Sequence, residues 1–200
     1  MYKVFFNRKF IVLTTEIVDH NEKTPFFYIK YINQNQIVSA LKTKKTEGIF
    51  LYHPKESKLW KHMMTHFPLI EAAGGLVQHQ NGKVLFIYRN KKWDLPKGRI
   101  EKKEILIDGA IREVTEETGV KDLIVKKNLT QTFHVFSRNG QYKLKKTYWY
   151  LMTTSYNGLL EPQFDEGISL AEWKTKEEIP NLMNNAFENI KLLLEETVLQ

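Results

Sequence analysis

The chain has 200 residues, of which 42% are apolar and 12% aromatic, enough for one large globular domain or two small ones. A formal net charge of +7 favours anionic partners such as polyphosphates, nucleic acid or a membrane surface. The lack of cysteine excludes disulfides, thiolate catalysis and cysteine-ligated zinc, and it fits a reducing, cytoplasmic compartment. No apolar run approaches the roughly 18 residues of a membrane span, and the N-terminus lacks the sustained apolar segment of a signal peptide.

Residues 1–68 predict a small α/β domain to which no motif assigns a role. Strands are expected at 2–6, 10–15, 26–31 and 49–53, and amphipathic helices at 34–45 and 55–67. The second helix is expected to turn Leu59, Trp60, Met63 and Met64 inward. His62 and His66 have the spacing of metal ligands, but no carboxylate or third histidine completes a site. Pro68 marks the predicted boundary to a second domain at 69–200.

The second domain opens with a strand around Gly74 and Gly75. Paired glycines inside a strand indicate close approach by another backbone or by a ligand. The dipeptide Asn81-Gly82 predicts a hairpin turn, and the apolar run at 84–89 predicts a buried returning strand. Proline and glycine then predict a bent loop in the stretch WDLPKG, directly before the most constrained part of the chain.

That part runs from Gly98 to Val120 and follows the pattern G-x5-E-x7-R-E-U-x-E-E-x-G-U, where U is aliphatic. The pattern predicts a helix over 105–118 that stops at Gly119. A chance match at every constrained position is rare on ordinary residue usage. The pattern therefore favours a site over an acidic helix face that is simply solvated.

Three glutamates of this helix, Glu113, Glu116 and Glu117, stand in the i, i+3, i+4 relation and are expected to share one face. Like charges so placed repel one another, whereas a bound divalent cation turns the repulsion into ligation. Carboxylate oxygens suit Mg²⁺ or Mn²⁺. Arg112 is expected to make a bidentate contact with Glu104 or with a helix carboxylate and so to fix the loop against the helix.

The stretch resembles the Nudix box at every position, and the similarity to Nudix hydrolases extends over roughly residues 70–200. The resemblance implies an α/β/α sandwich with a mixed sheet, and Mg²⁺-dependent cleavage of a diphosphate linked to another group. The segment WDLPKGRIE resembles the corresponding segment in the branch of the family that hydrolyses diadenosine polyphosphates and diphosphoinositol polyphosphates. A proline typical of ADP-ribose hydrolases, about fifteen residues past the box, is absent, because Val135 and Phe136 stand there. A tyrosine typical of some diadenosine polyphosphate hydrolases is also absent near that offset.

The resemblance also implies roles for individual residues. The expected metal ligands are Glu113, Glu116, Glu117 and the carbonyl of Lys97. Catalysis is expected from Glu116, Glu117 and Glu166, with Asp165 as the alternate to Glu166 and the final base either Glu116 or Glu166. The expected substrate contacts are Arg89, Lys97, His134 and Lys145. Gly98, Glu104 and Arg112 are expected to hold the loop on the helix.

Two strands are expected after the box, at 129–136 and 142–154, and closing helices at 176–183 and 185–198. Lys143, Lys145 and Lys146 make the second strand basic, which suits either a polyphosphate tail or an ordinary exposed strand. The expected partner is a phosphorylated small molecule, without a membrane. Two alternatives stay open: a non-catalytic sensor or adaptor, against which the retained carboxylates argue, and hydrolysis at an RNA 5′ end, for which no RNA-binding fingerprint is present.

Overall fold

The computed structural model describes residues 1–197, which fold into a mixed α/β structure. The elements, in chain order, are β1 (Tyr2–Phe6), β2 (Lys9–Thr14), β3 (Phe26–Tyr28), α1 (Gln34–Lys42), β4 (Gly48–Tyr52), α2 (Glu56–His66), β5 (Leu69–His79), β6 (Val84–Arg89), β7 (Lys92–Asp94), β8 (Lys97–Arg99), α3 (Leu106–Thr118), β9 (Ile124–Asn128), β10 (Thr132–Arg138), β11 (Gln141–Thr154), β12 (Ile168–Lys174), α4 (Ile179–Met183) and α5 (Glu188–Thr197). A 3₁₀ turn, Phe164–Glu166, precedes β12.

Every predicted helix has a counterpart. Helices α1 to α4 are shorter than expected, whereas α5 begins three residues later than expected and its predicted end at Val198 lies outside the described residues. The short strands β7, β8 and β9 are not predicted, because runs of three to five polar and apolar residues carry no clear period. Over residues 1–197, no helix is both long and apolar enough to cross a membrane.

The chain divides into two compact units. The first unit comprises residues 1–70 and 133–146, and the second comprises residues 71–132 and those from 147 onward. The units differ from the predicted domains chiefly in the segment 133–146, which the sequence places with the second domain. It joins the first unit because β10 pairs in parallel with β1, with Phe133 opposite Val4. Such pairing between distant segments leaves no local pattern in the sequence.

The first unit has the strand order β10-β1-β2-β4-β3, in which only the β1–β2 pair is antiparallel. One face of this sheet is buried against α1 and α2. The core between them contains Ile11, Leu13, Ile49 and Leu51 from the sheet and Ile37, Leu41, Leu59 and Met63 from the helices. Burial of each contributes about 1.5–3 kcal/mol. Met64, which was expected to point inward, is 41% exposed, because the helix turns it away from this face.

The second unit has the strand order β12-β6-β5-β11, with β7, β8 and β9 paired to its members. Alternate residues of these strands pack in opposite directions, since successive side chains point to opposite faces. Leu76, Val84, Phe86 and Trp149 pack with α4 and α5. Ala73, Val77, Leu85 and Met152 pack with α3. The second unit is therefore an α/β/α sandwich, as the resemblance implies.

Candidate active site

Helix α3 packs through Val114 and ends at Gly119, whose φ of 74° is left-handed, as the sequence predicts. Its three glutamates do not share one solvated face. The exposed fraction of the side chain is 49% at Glu116, 13% at Glu113 and 2% at Glu117. Two of the three carboxylates are therefore drawn inward, which an ordinary solvated acidic face would not require.

The loop before α3 is held on β5 by a close backbone approach. Gly74 lies opposite Lys97 in the antiparallel pairing of β5 and β8, and the N–H of Gly75 donates to the carbonyl of Pro96 at 3.1 Å. A Cβ at Gly74 would overlap that carbonyl. At Gly74 the paired glycines thus mark approach by another backbone, which is one of the two alternatives that the sequence leaves open.

Glu117 lies at the junction of this loop and α3. Its Oε2 accepts the backbone N–H of Lys97 at 2.8 Å, and its Oε1 lies 3.5 Å from Nη1 of Arg89. Burial raises the pKa of Glu117 to about 7, because a low dielectric penalises the charged form. The charge and the N–H of Lys97 oppose this rise without cancelling it. The ionised carboxylate is therefore short of positive charge, which a bound cation would supply.

Arg112 clamps the loop to the helix. Its Nε and Nη2 donate to the two carboxylate oxygens of Glu104 at 2.7 and 2.9 Å. Its Nη1 donates to both Glu113 and Glu116 at 2.9 Å. The hydrogen bonds from Arg112 lower the pKa of Glu104 to about 2. The sequence predicts a contact of Arg112 with Glu104 or with a helix carboxylate, and the structure shows both.

Arg89 links two of the predicted catalytic glutamates. Its Nη2 lies 3.0 Å from Oε2 of Glu166, in the 3₁₀ turn, while its Nη1 lies near Glu117. Asp165, the alternate acid, is exposed in the same turn. Of these two acids, Glu166 is the one that an ion pair connects to the box helix.

Lys97 is buried. Its ammonium lies 2.7 Å from Oδ2 of Asp94, and both side chains are 5% exposed. The expected contacts of Lys97, with a phosphate through the ammonium and with a metal through the carbonyl, stay predictions. Asp94 was missed from the sequence. Its only signal is an acid three residues before a lysine, across a loop that Pro96 bends.

The other two predicted substrate contacts, His134 and Lys145, belong to the first unit, whereas the carboxylates belong to the second. The ring of His134 lies 5.6 Å from that of Phe136, and Nζ of Lys145 lies 5.3 Å from the same ring. Arg89 and Lys97 therefore contact a box carboxylate. The ring contacts of His134 and Lys145 lie within the first unit.

As the side chains stand, no group of three Asp, Glu or His within residues 1–197 converges closely enough to hold a metal ion. Glu113 and Glu116 are turned toward Arg112, and Glu117 toward the loop. Two observations nevertheless fit a divalent cation. A Cβ at Gly98 would overlap the carboxylate of Glu113, so the glycine provides a cradle for that group. The guanidinium of Arg112 already stands as a cation between two carboxylates, whose hard oxygens suit Mg²⁺ or Mn²⁺.

A cavity of about 460 Å³ lies beside Glu113. It is lined by Arg99, Ile100, Glu101, Lys102, Arg112 and Glu113. Arg99 and Lys102 bring two positive charges to its wall, beside the acids Glu101 and Glu113.

Known proteins share this architecture. A model of the NUDIX domain matches residues 68–195. Among solved structures, the MutT protein from Methanosarcina mazei Go1 is 22% identical, with a TM-score of 0.51 over 65% of this chain and 93% of that chain. The MutT NUDIX hydrolase from Burkholderia pseudomallei is 19% identical, with a TM-score of 0.51 over 65% and 98%. The E. coli dihydroneopterin triphosphate pyrophosphohydrolase is 15% identical, with a TM-score of 0.50 over 65% and 96%.

Since the family model covers more than half of the sequence, the chain belongs to the Nudix family. It is an enzyme of the Nudix pyrophosphohydrolase class. Nudix hydrolases generally use divalent metal ions and act on phosphorylated small molecules.

Proposed function

We propose that the protein is a Mg²⁺-dependent hydrolase that cleaves a diphosphate linkage in a nucleoside polyphosphate or a related compound. The observation that carries this proposal is the buried carboxylate of Glu117, placed between a backbone N–H of the loop and Arg89. The favoured substrates are diadenosine polyphosphates or diphosphoinositol polyphosphates, which the loop sequence WDLPKGRIE supports. The cavity lined by Arg99 and Lys102 suits the additional phosphates of such compounds.

Glu113, Glu116 and Glu117 would hold the metal. When bound, a divalent cation neutralises phosphate oxygens and lowers the pKa of a coordinated water. The N–H of Lys97 keeps the Glu117 carboxylate in one orientation, and Arg112 holds Glu113 and Glu116 near the loop. The contact from Lys97 thus orients one donor in advance, whereas Glu113 and Glu116 would turn from Arg112 toward a bound metal.

Glu166 is the proposed proton acceptor. A water oxygen bonds to phosphorus, the bridging P–O bond breaks, and the carboxylate takes the proton that the water loses. Arg89 holds Glu166 at 3.0 Å and also contacts Glu117, so both glutamates face one guanidinium. Glu116, half exposed on α3, is the alternative acceptor.

The first test is turnover with Mg²⁺ or Mn²⁺ on diadenosine tetra- to hexaphosphates, diphosphoinositol polyphosphates, nucleoside triphosphates, ADP-ribose and 5′-triphosphate RNA. We expect metal-dependent cleavage of the first two classes. Glu117→Gln should lower kcat at least about 100-fold, the scale of losing a key electrostatic contribution. Near-normal turnover of this variant would remove Glu117 from the mechanism, and preference for another class would refute the substrate assignment.

The second test separates the candidate bases. Glu166→Gln should lower kcat by about 100-fold or more, the usual contribution of a general base. Asp165→Asn is the matched control, because it removes an exposed acid one residue earlier in the same turn. We expect it to retain turnover within about threefold, since exposed surface substitutions are usually tolerated. Equal, small effects of both substitutions would transfer the role to Glu116.

A further inference from the structure

The charge of the chain is divided unequally between the two units. The first unit carries fifteen Lys and Arg against five Asp and Glu, a net charge of +10. The second unit carries the other fifteen Lys and Arg against eighteen Asp and Glu, a net charge of −3. The net positive charge of the protein therefore comes from the first unit. Because the box lies in the second unit, the hydrolase site does not explain this charge.

The strand pairings bring two basic segments to one end of the first unit. Arg8 lies in the turn between β1 and β2, next to Phe6 at the end of β1. Because β10 runs parallel to β1, with Val135 opposite Phe6, β10 also ends there, at Arg138. The ring of Phe6 lies 5.8 Å from that of Tyr142 on β11, so the returning strand of the hairpin lies at the same end.

Side-chain contacts add the C-terminus of α1 to this end. Nζ of Lys9 donates to the carbonyl of Thr43 at 2.6 Å. Nζ of Lys42 lies 5.6 Å from the centre of the Tyr142 ring, a cation–π contact. Lys44 and Lys45 follow directly and are exposed. We call the three segments 6–10, 42–46 and 136–143 the basic end.

The basic end contains seven Lys and Arg and no Asp or Glu. The nearest acid in sequence, Glu47, forms an ion pair with Lys23 at 3.1 Å. Like charges clustered in this way repel one another, and a bound polyanion relieves that repulsion. None of the fully exposed large apolar side chains in the described chain lies in the three segments, so the surface has neither a membrane anchor nor the apolar centre of a protein interface.

We propose that the basic end is a docking surface for single-stranded nucleic acid. Lysine and arginine pair with the phosphates, and the half-buried ring of Tyr142, beside Lys42, offers stacking for an unpaired base. The inference does not depend on the substrate of the hydrolase site, since the residues belong to the other unit.

The test is fluorescence anisotropy of labelled 20-nucleotide single-stranded RNA and DNA with the full-length protein, over a range of salt concentrations. The variant Arg8→Gln/Lys44→Gln/Lys45→Gln removes three exposed charges from the basic end. The matched control Lys55→Gln/Lys58→Gln/Lys61→Gln removes three exposed charges at and within α2. Both variants have the same net charge, and hydrolase turnover and thermal unfolding report whether each is intact.

We expect the first variant to weaken binding at least about tenfold near 100 mM salt and to reduce the salt slope by about 2, at roughly 0.7 per lost phosphate contact. The control should change affinity less than about threefold. Equal losses in both variants would show a diffuse charge effect and overturn the proposal. The proposal would also be overturned if the native protein did not bind the single-stranded nucleic acids. It would likewise be overturned if phosphatidylserine vesicles or polyglutamate bound with the same affinity and the first variant weakened that binding by the same factor.

Discussion

Glu117 makes the stability of the metal-free protein depend on pH in an unusual direction. Its pKa rises from 4.5 to about 7 on folding, because its side chain is 2% exposed. Between these values the folded state binds more protons than the unfolded state, so stability falls as pH rises through the window. At about 1.4 kcal/mol for each unit of pKa, the whole effect is about 3.5 kcal/mol, of which about 2.5 kcal/mol falls between pH 5 and pH 8.

The perturbation is Glu117→Gln, which keeps the shape of the side chain and removes its titration. The measurement is urea unfolding at pH 5, 6, 7 and 8 in the presence of a chelator. We expect the free energy of unfolding of the native protein, relative to the variant, to fall by about 2.5 kcal/mol over this range. For a slope of about 2 kcal/mol per molar urea, the difference between their midpoints changes by about 1.2 M.

Glu195→Gln serves as the control, since it removes one acidic side chain from an exposed position of α5. Mg²⁺ added at pH 8 should stabilise the native protein more than the Glu117→Gln variant, because a cation bound to the folded state compensates the buried charge. A difference between native and variant proteins that stays constant within about 0.5 kcal/mol from pH 5 to pH 8 would refute the argument from burial.

Two further predictions concern the loop beneath α3. Gly98→Ala places a Cβ on the carboxylate of Glu113, so kcat should fall about 100-fold. Circular dichroism should show that the fold is retained. Unchanged turnover would show that Glu113 moves freely. Asp94→Asn leaves the buried ammonium of Lys97 uncompensated and should cost about 3–5 kcal/mol in urea unfolding, whereas Asp94→Leu/Lys97→Met should recover at least half of this loss.

The sequence predicts the helix that carries the site because its apolar spacing and its C-terminal end have local chemical causes. The left-handed end at Gly119 and the apolar residues facing the sheet are local properties, and α3 follows them within one residue. The contact of Arg112 with Glu116 is also local, since Glu116 lies one turn further along the same helix. Likewise, an Asn-Gly turn and an apolar run are sufficient to predict β6 at 84–89.

The remainder depends on contacts between distant parts of the chain. Nothing near Phe133 indicates that its strand pairs with β1, so the division into units could not be predicted. Nothing near Lys97 shows that its ammonium is buried against Asp94, because surface and buried lysines look alike in a sequence. The contact of Glu166 with Arg89 joins residues 77 positions apart, and the sequence supplies only the two ends of that contact.

The spacing within the box also explains where positive charge is missing. Arg112 reaches Glu104 across the loop, Glu113 beside it and Glu116 one turn later, but Glu117 points to another side of the helix. The pKa of Glu104 is accordingly low, whereas burial raises the pKa of both Glu113 and Glu117. These last two lie one turn apart and are the least exposed of the helix glutamates. The arginine thus anchors the loop, and burial still disfavours the ionised forms of Glu113 and Glu117, which a bound cation would stabilise.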